Sequence, residues 1–351
     1  MKYLYCIIPD NKQQTFDVQG IGGQAYTIPY EDVSLVVSDS EPVSFTAISK
    51  EELVKYLLTH QSTIEKIMQK YSVIPLKFGT FLDNEEETQK IVRKGYKLFK
   101  ESLEALKDKI ELDLVASWSD MRGVLKEIAE MPEIKRLKDE ISAKPLAERI
   151  KDGILLGKRV KDLLDQKKDQ IAREIIASLS AKDPPQAGKG GFDFCKHAVL
   201  NDAMISNTAF LVAKDKKGDF EARLEELDKK FSAKGGSASG GDGLINFKLV
   251  GPLPPYSFAT FEVDKLTKDE IAYAKAFLGV NGDPKPQEVK EAYHAMALKL
   301  HPDKNPDNPH AQKDFEELKK AFDILLKYSN NGQDLLLVKN VGTGNLSLSI
   351  E

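Results

Sequence analysis

The sequence predicts an α+β protein with three parts. These are an N-terminal α+β domain, a ferredoxin-like βαββαβ second domain with a long helical insertion, and a C-terminal all-α helical hairpin. Three observations carry this. Up to about residue 264, short apolar or alternating runs bounded by turn residues are interleaved with stretches of helical periodicity. After that point the strand signal gives way to two amphipathic helical runs separated by His301-Pro302-Asp303. A length of 351 residues with 41% hydrophobic content is enough for two or three buried cores.

The first domain spans residues 1–110. Residues 3–8 form a continuous apolar run of the kind a buried strand shows, and residues 26–28 and 33–37 read as further strands with turn residues between them. Residues 49–71 are helical: Ser49 with Glu52 makes a capping box, and Leu53, Leu57, His60, Ile64 and Ile67 share a face. Residues 74–80 are extended, with Pro75 suited to an edge or a strand's start. A second helix over 84–107 turns Ile91, Gly95, Phe99 and Leu103 inward. His60 on a helix face reads more readily as a satisfied, partly buried histidine than as a ligand, and Lys77 in an apolar strand is expected to snorkel or to pair with an acid such as Glu65.

The second domain spans residues 111–264. A strand is expected at 112–118, a helix at 120–130, and a long helix over 145–180 that ends at the loop KDPPQAGKGG. Residues 198–204 and 207–212 read as a strand pair, 220–231 as a helix, and 244–250 and 257–263 as strands, with Leu114 and Phe210 on the buried face of an antiparallel sheet. The Gly/Ser-rich run AKGGSASGGDG reads as a flexible connection. Gly251 to Phe258 is either a rigid proline turn between strands or a place where Pro254, Pro255 and Tyr256 present an aromatic surface to a partner.

The third domain spans residues 268–328, with Thr267 as a candidate N-cap. Val289, Ala292, Tyr293, Met296 and Leu300 mark one helix face, and Phe315, Leu318, Ala321, Phe322 and Leu325 a second. Pro302 ends the first helix because the residue before a proline is pushed out of the α region. A hairpin that buries its own core need not pack on the rest of the chain, so a small polar contact and relative motion are the default expectation. In the tail, 329–351, residues 335–338 and 346–350 could form strands.

Several function classes are excluded. The 51 basic and 55 acidic residues leave a net charge of −4 with no long basic run, which argues against nucleic acid. No stretch of about twenty apolar residues marks a membrane span, and the N-terminal apolar run is too short for a secretory signal. The two cysteines, Cys6 and Cys195, make neither a disulfide framework nor a zinc site, so a reducing cytosol is expected. The five histidines are scattered and no nucleophile sits with a base, so neither an enzyme nor a cofactor is expected. Cys195 and His197 share a strand face but have no acid nearby in sequence, and Lys189-Gly190-Gly191 lacks the order of a phosphate-binding loop.

The C-terminal segment resembles the J domain, by which DnaJ-type co-chaperones stimulate the ATPase of a DnaK-type chaperone. Ala276-Phe277-Leu278-Gly279-Val280, Leu298-Lys299-Leu300, His301-Pro302-Asp303 and Lys304-Asn305-Pro306 carry the resemblance. It implies that His301, Pro302 and Asp303, flanked by Lys290, Lys299 and Lys304, bind the chaperone and bias it toward hydrolysis without doing chemistry themselves. One departure is that Glu291 and His294 stand on a helix face that the family usually makes basic, which weakens electrostatic attraction. Another is the absence of cysteine pairs, and with them of the zinc region of many DnaJ proteins. The family's fourth helix is not evident.

Residues 1–264 resemble the gas vesicle protein F/L family. Tyr3-Leu4-Tyr5, His60 with Glu65, the run from Ile74 to Thr80, Asn201 to Asn207 with Ala209 to Val212, and Gly251 to Phe258 stand in the family's order. The segment Leu114 to Trp118 lacks the charged residue the family often has in that strand. This resemblance implies an accessory protein of gas vesicle formation that binds the hydrophobic shell protein GvpA. It would be cytoplasmic, at the vesicle's inner surface or in an assembly complex. The two resemblances together imply a co-chaperone at the growing shell. The alternatives are a generic cytosolic co-chaperone with another client, or a structural vesicle component with an inactive J segment.

Overall fold

The computed structural model describes residues 1–180, 192–234, 245–305, 308–330, 332 and 336–343. The expected phosphate-loop lookalike at 189–191, the Gly/Ser-rich connection, Pro306 and the last expected strand at 346–350 fall wholly or mostly outside them. The chain divides into two compact units that are not contiguous in sequence. One comprises residues 1–66, 75–100 and 260–341, and the other 67–74, 101–259 and the residues from 342 on.

The first unit is built on β1 (Lys2–Ile8), β2 (Thr15–Gln19), β3 (Gln24–Tyr30) and β4 (Val33–Asp39). The sheet order is β2-β3-β4-β1, followed by the short β5 (Ile74–Pro75), with β6 (Phe81–Leu82) also pairing β1. β1 is central, and Tyr3 through Ile8 are all fully buried, which is why its sequence reads as an unbroken apolar run. Helices α1 (Lys50–Met68) and α2 (Glu85–Ala105) follow the sequence expectation. In α2 a Cβ on residue 95 would lie 2.3 Å from the Phe99 ring, so Gly95 makes room for it.

The second unit carries a four-stranded antiparallel sheet of β7 (Lys109–Trp118), β8 (Asp193–Lys196), β9 (Met204–Ala213) and β10 (Ile245–Leu253), in the order β10-β7-β9-β8. Fourth, first, third, second is the ferredoxin-like order for the expected β-α-β-β-α-β sequence. Helices α3 (Met121–Ala129), α4 (Pro132–Ser142) and α5 (Leu146–Ser180) connect β7 to β8, and α6 (Lys217–Lys234) connects β9 to β10. Leu114 and Phe210 are fully buried in the core formed with these helices. Three placements differ from the sequence reading. The strand expected at 198–204 is instead β8, and Val199 and Leu200 lie exposed in a connection closed by Asn201, whose Oδ1 accepts the Met204 N–H at 3.0 Å. α4 starts at Pro132, a helix-start signal the sequence reading passed over. The strand expected at 257–263 begins later, because the Phe258 and Ala259 N–H groups turn back onto the Pro255 carbonyl at 3.1 and 2.9 Å.

That later strand, β11 (Phe261–Lys265), belongs to the first unit and pairs antiparallel with β12 (Leu336–Asn340). The residues between them form α7 (Lys268–Leu278), α8 (Pro286–Leu300) and α9 (Ala311–Asn330). Thr267 and Glu270 close a capping box on α7. Gly279, at φ 68°, ends it with the paired backbone bonds of a Schellman turn. Val289, Leu318, Ala321 and Leu325 are buried in a core of the three helices, with Leu266 in the same cluster and Leu337 packed against it. The helices are thus an insertion between two paired strands.

Candidate functional site

The turn at His301 is shaped by its own side chains. The His301 N–H still donates to Ala297 at 3.1 Å, but its backbone leaves the helix at ψ 129° because Pro302 follows. Pro302–Lys304 form one tight turn, with the Lys304 N–H on the His301 carbonyl at 3.0 Å. The Asp303 N–H donates to His301 Nδ1 at 3.2 Å. Asn305 Nδ2 donates to the Lys299 carbonyl at 2.7 Å and the His301 carbonyl at 3.0 Å, which caps the end of α8. The imidazole stands edge-on to Phe315 of α9, ring centres 5.2 Å apart. The Asp303 carboxylate is 89% exposed. A carboxylate held out on a rigid turn can accept charge-assisted hydrogen bonds from a partner's arginine or lysine. Lys290, Lys299 and Lys304 are exposed, as are Glu291, His294 and Leu298.

The other expected site residues lie differently. Pro254 and Pro255 are buried and Tyr256 is half-buried, so the proline block is the turn of the first reading and does not present a surface of the prolines. Gly251 is required there. At φ 144°, with a Cβ reaching within 2.9 Å of the Glu111 carbonyl, only glycine lets β10 approach β7 so closely. Lys77 pairs with Glu262 of β11, not with Glu65, whose Oε1 accepts from Gln61 at 2.7 Å. Cys195 and His197 make no pair. Cys195 Sγ lies 3.0 Å from Thr343 Oγ1 and His197 Nε2 lies 3.0 Å from Ser257 Oγ.

His60 is 4% exposed and sits in a closed network. The Gly79 N–H donates to Tyr3 Oη at 3.2 Å, and Tyr3 Oη lies 2.9 Å from His60 Nδ1. The ring also bonds the Leu76 backbone. The Leu76 N–H is already committed to the Tyr5 carbonyl at 2.8 Å, so the Leu76 carbonyl accepts the ring proton. Nδ1 is then the acceptor and Tyr3 the donor. Burial outweighs the Leu76 bond and pulls His60 from 6.5 down to about 4.

One cluster escaped the sequence reading. β7 begins at Lys109, three residues before its expected start, and carries Glu111, which is 2% exposed. Glu111 accepts the Ser257 N–H and the Ser257 hydroxyl, each at 2.8 Å. The strand therefore does hold a buried charged-type residue, upstream of Leu114 to Trp118. Burial pushes Glu111 well above the usual carboxylate range against the Ser257 bonds, and the neighbouring Asp113 adds to the rise. The signal was an acidic residue within an alternating apolar strand, which the late strand start hid. Among the described residues no group of three or more His, Cys, Asp or Glu side chains could hold a metal ion, and no helix is long and apolar enough to cross a membrane.

A ferredoxin-like unit and a sheet unit, the latter carrying a His-Pro-Asp helical hairpin inserted between two of its strands, define a gas-vesicle-type body fused to a co-chaperone module. The chain belongs to the family of gas vesicle synthesis proteins GvpL/GvpF, whose match covers residues 1–260, and it carries a DnaJ domain matching residues 276–331. It is 22% identical to gas vesicle protein F of a Nostoc species over 261 residues, 73% of this chain and 97% of that protein. It is 24% identical to gas vesicle protein F of Microcystis aeruginosa over 244 residues, covering 65% of this chain and 89% of the relative. Against the chaperone protein DnaJ of Ehrlichia ruminantium it is 49% identical, but over 49 residues, 14% of this chain and 13% of that protein. The crystal structure of GvpF from an Anabaena species shares the fold at a TM-score of 0.58 and 20% identity, over 73% of this chain and 96% of the other.

Proposed function

We propose that this chain is an accessory factor of gas vesicle formation that binds the shell protein GvpA and, through its J domain, recruits and stimulates a DnaK-type chaperone during shell assembly. The observation that carries the reading is an exposed, fully formed His301-Pro302-Asp303 turn on a chain whose first 260 residues match the gas vesicle family. The physical logic is that apolar shell subunits aggregate before they assemble, and a chaperone brought to them suppresses this. The protein acts in the cytoplasm, at the vesicle's inner surface or in an assembly complex, with no catalysis of its own. The Asp303 carboxylate supplies the charged contact to the chaperone, His301 holds the turn against Phe315, and Lys290, Lys299 and Lys304 steer the encounter.

Glu291 and His294 on the exposed face of α8 favour one second reading, a structural vesicle component whose J segment no longer couples to a chaperone. Single-turnover ATP hydrolysis by the cognate DnaK separates the two. Stimulation by the whole chain, abolished by Asp303→Asn while GvpA is still captured, supports the proposal. Absence of stimulation at any concentration overturns it in favour of the structural reading.

A further inference from the structure

The J helices enter and leave through the two strands of one ladder. β11 and β12 pair over five residues, from Phe261 opposite Asn340 to Lys265 opposite Leu336. The ladder continues outward, with the Val341 N–H on the Thr260 carbonyl at 2.7 Å. β11 is itself joined to the N-terminal sheet. The Leu76 N–H donates to Tyr5 of β1 and the next N–H, that of Lys77, donates to Phe261, each at 2.8 Å. Residues 76–77 therefore bridge β1 to β11, and β12 becomes the outermost strand of a continuous hydrogen-bonded series.

Side chains fasten the same seam. Lys339 of β12 bonds Glu262 at 2.6 Å and lies 3.5 Å from Asp264, which also takes Lys327 of α9 at 3.0 Å. Lys265 of β11 reaches Asp83 and, at 2.6 Å, Glu87 at the start of α2. Lys94 of α2 donates to the Leu336 carbonyl at 2.6 Å. On the apolar side Phe99 of α2 meets Phe261 edge-on at 5.3 Å, Leu336 is 8% exposed, and Leu337 packs on the J core. Exposed ion pairs contribute little singly. The ladder, the aromatic contact and the buried leucine are what resist opening.

From this arrangement we infer that β12 is a clasp that fixes the direction of the J domain on the N-terminal sheet, and that the Lys339 backbone, Leu336 and their β11 partners position whatever binds at His301–Asp303. A module tethered at one end by a flexible segment samples a wide cone, whereas one held by two paired strands moves with the sheet that holds them. On the functional reading above, this delivers the chaperone to one side of the body.

The test needs neither chaperone nor shell protein, so it can fail or succeed apart from that reading. Asp17 of β2 and Lys313 of α9 are both exposed, while Cys6 and Cys195 are buried. Spin labels on Asp17→Cys and Lys313→Cys in the whole chain report the distance between the sheet and the J domain. A single narrow distribution is expected. Val341 and Thr260 are hydrogen-bonded opposite each other, so two residues back Lys339 faces Glu262 in the same way. Lys339→Pro removes that N–H together with the ammonium pairs, and the distribution should widen at least twofold. Lys339→Gln keeps the ladder and should leave it narrow. An intact helical signal for Lys339→Pro, by circular dichroism, shows that the J helices are still folded. A broad distribution in the parent chain, or one that Lys339→Pro leaves unchanged, overturns the clasp.

Discussion

Acid should unlock the first unit through His60. The perturbation is a drop in pH. With the imidazole at 6.5 when unfolded and about 4 when folded, the unfolded chain binds a proton that the folded chain refuses across that interval. The stability this network provides is therefore fully present above 6.5 and is lost as pH falls through about 4. A difference of this size corresponds to about 3 kcal/mol when complete and about 2 kcal/mol by pH 5. The cause is structural. A protonated ring would need both nitrogens to donate, but Tyr3 already points its hydroxyl proton at Nδ1, and Tyr5, Tyr3 and Phe78 enclose the ring. Urea denaturation of the whole chain and of His60→Gln, at pH 7.5 and pH 5, isolates the effect from the carboxylates both proteins share. The parent should lose about 2 kcal/mol more than the variant between the two conditions. Equal losses in the two proteins, or an NMR titration of His60 with a midpoint near 6.5, would refute the argument.

The remaining predictions concern other sites. Glu111 has the opposite sign: its folded pKa is raised, so its stabilising effect is present below the usual carboxylate value and is lost as pH rises through the raised one. Glu111→Gln, which can still accept from Ser257, should flatten the fall in Tm between pH 6 and pH 9, and an unchanged slope would count against a protonated Glu111. His301→Gln should abolish DnaK stimulation with a stability change under about 1 kcal/mol by thermal melt, since the side chain is half-exposed and packs chiefly on Phe315. Glu291→Lys with His294→Arg should raise stimulation at low salt and lose that gain at high salt, because it restores positive charge to the exposed face of α8. Phe210→Ala removes a fully buried ring between Phe194 and Phe220 and should cost about 3–5 kcal/mol by denaturant titration.

Much of the architecture was legible because its signals are local. The apolar run of β1, the periodicity of α2 and the N-cap of α7 each sit within a few residues of the element they specify. The His301 turn was legible for the same reason, since proline dictates the break wherever it stands. What escaped depends on distant pairing. Val199 and Leu200 have strand composition but no ladder partner, so they lie exposed while the less apolar Asp193–Lys196 takes the place beside β9. Lys77 chose Glu262, 185 positions away, over a closer acid. β12 was expected as a strand at 335–338, but its pairing with β11, some seventy residues upstream, was not legible.

Three of the blocks that carry the family resemblance bind one another. Tyr3-Leu4-Tyr5, His60 and the run from Ile74 to Thr80 meet in the network of Tyr3, His60, Leu76 and Gly79. The proline block is anchored where Ser257 meets Glu111. Most of these side chains are buried, and buried groups are constrained by hydrogen bonding and packing, not by a partner. The fold itself accounts for these residues. The His301 turn is the reverse case. Its carboxylate is 89% exposed, and the contact it is given within the chain is the His301 imidazole of the same turn, at 3.7 Å. On the proposed function, Asp303, held on a turn built by five backbone and side-chain hydrogen bonds from Asp303, Lys304 and Asn305, is explained by what it touches outside the molecule.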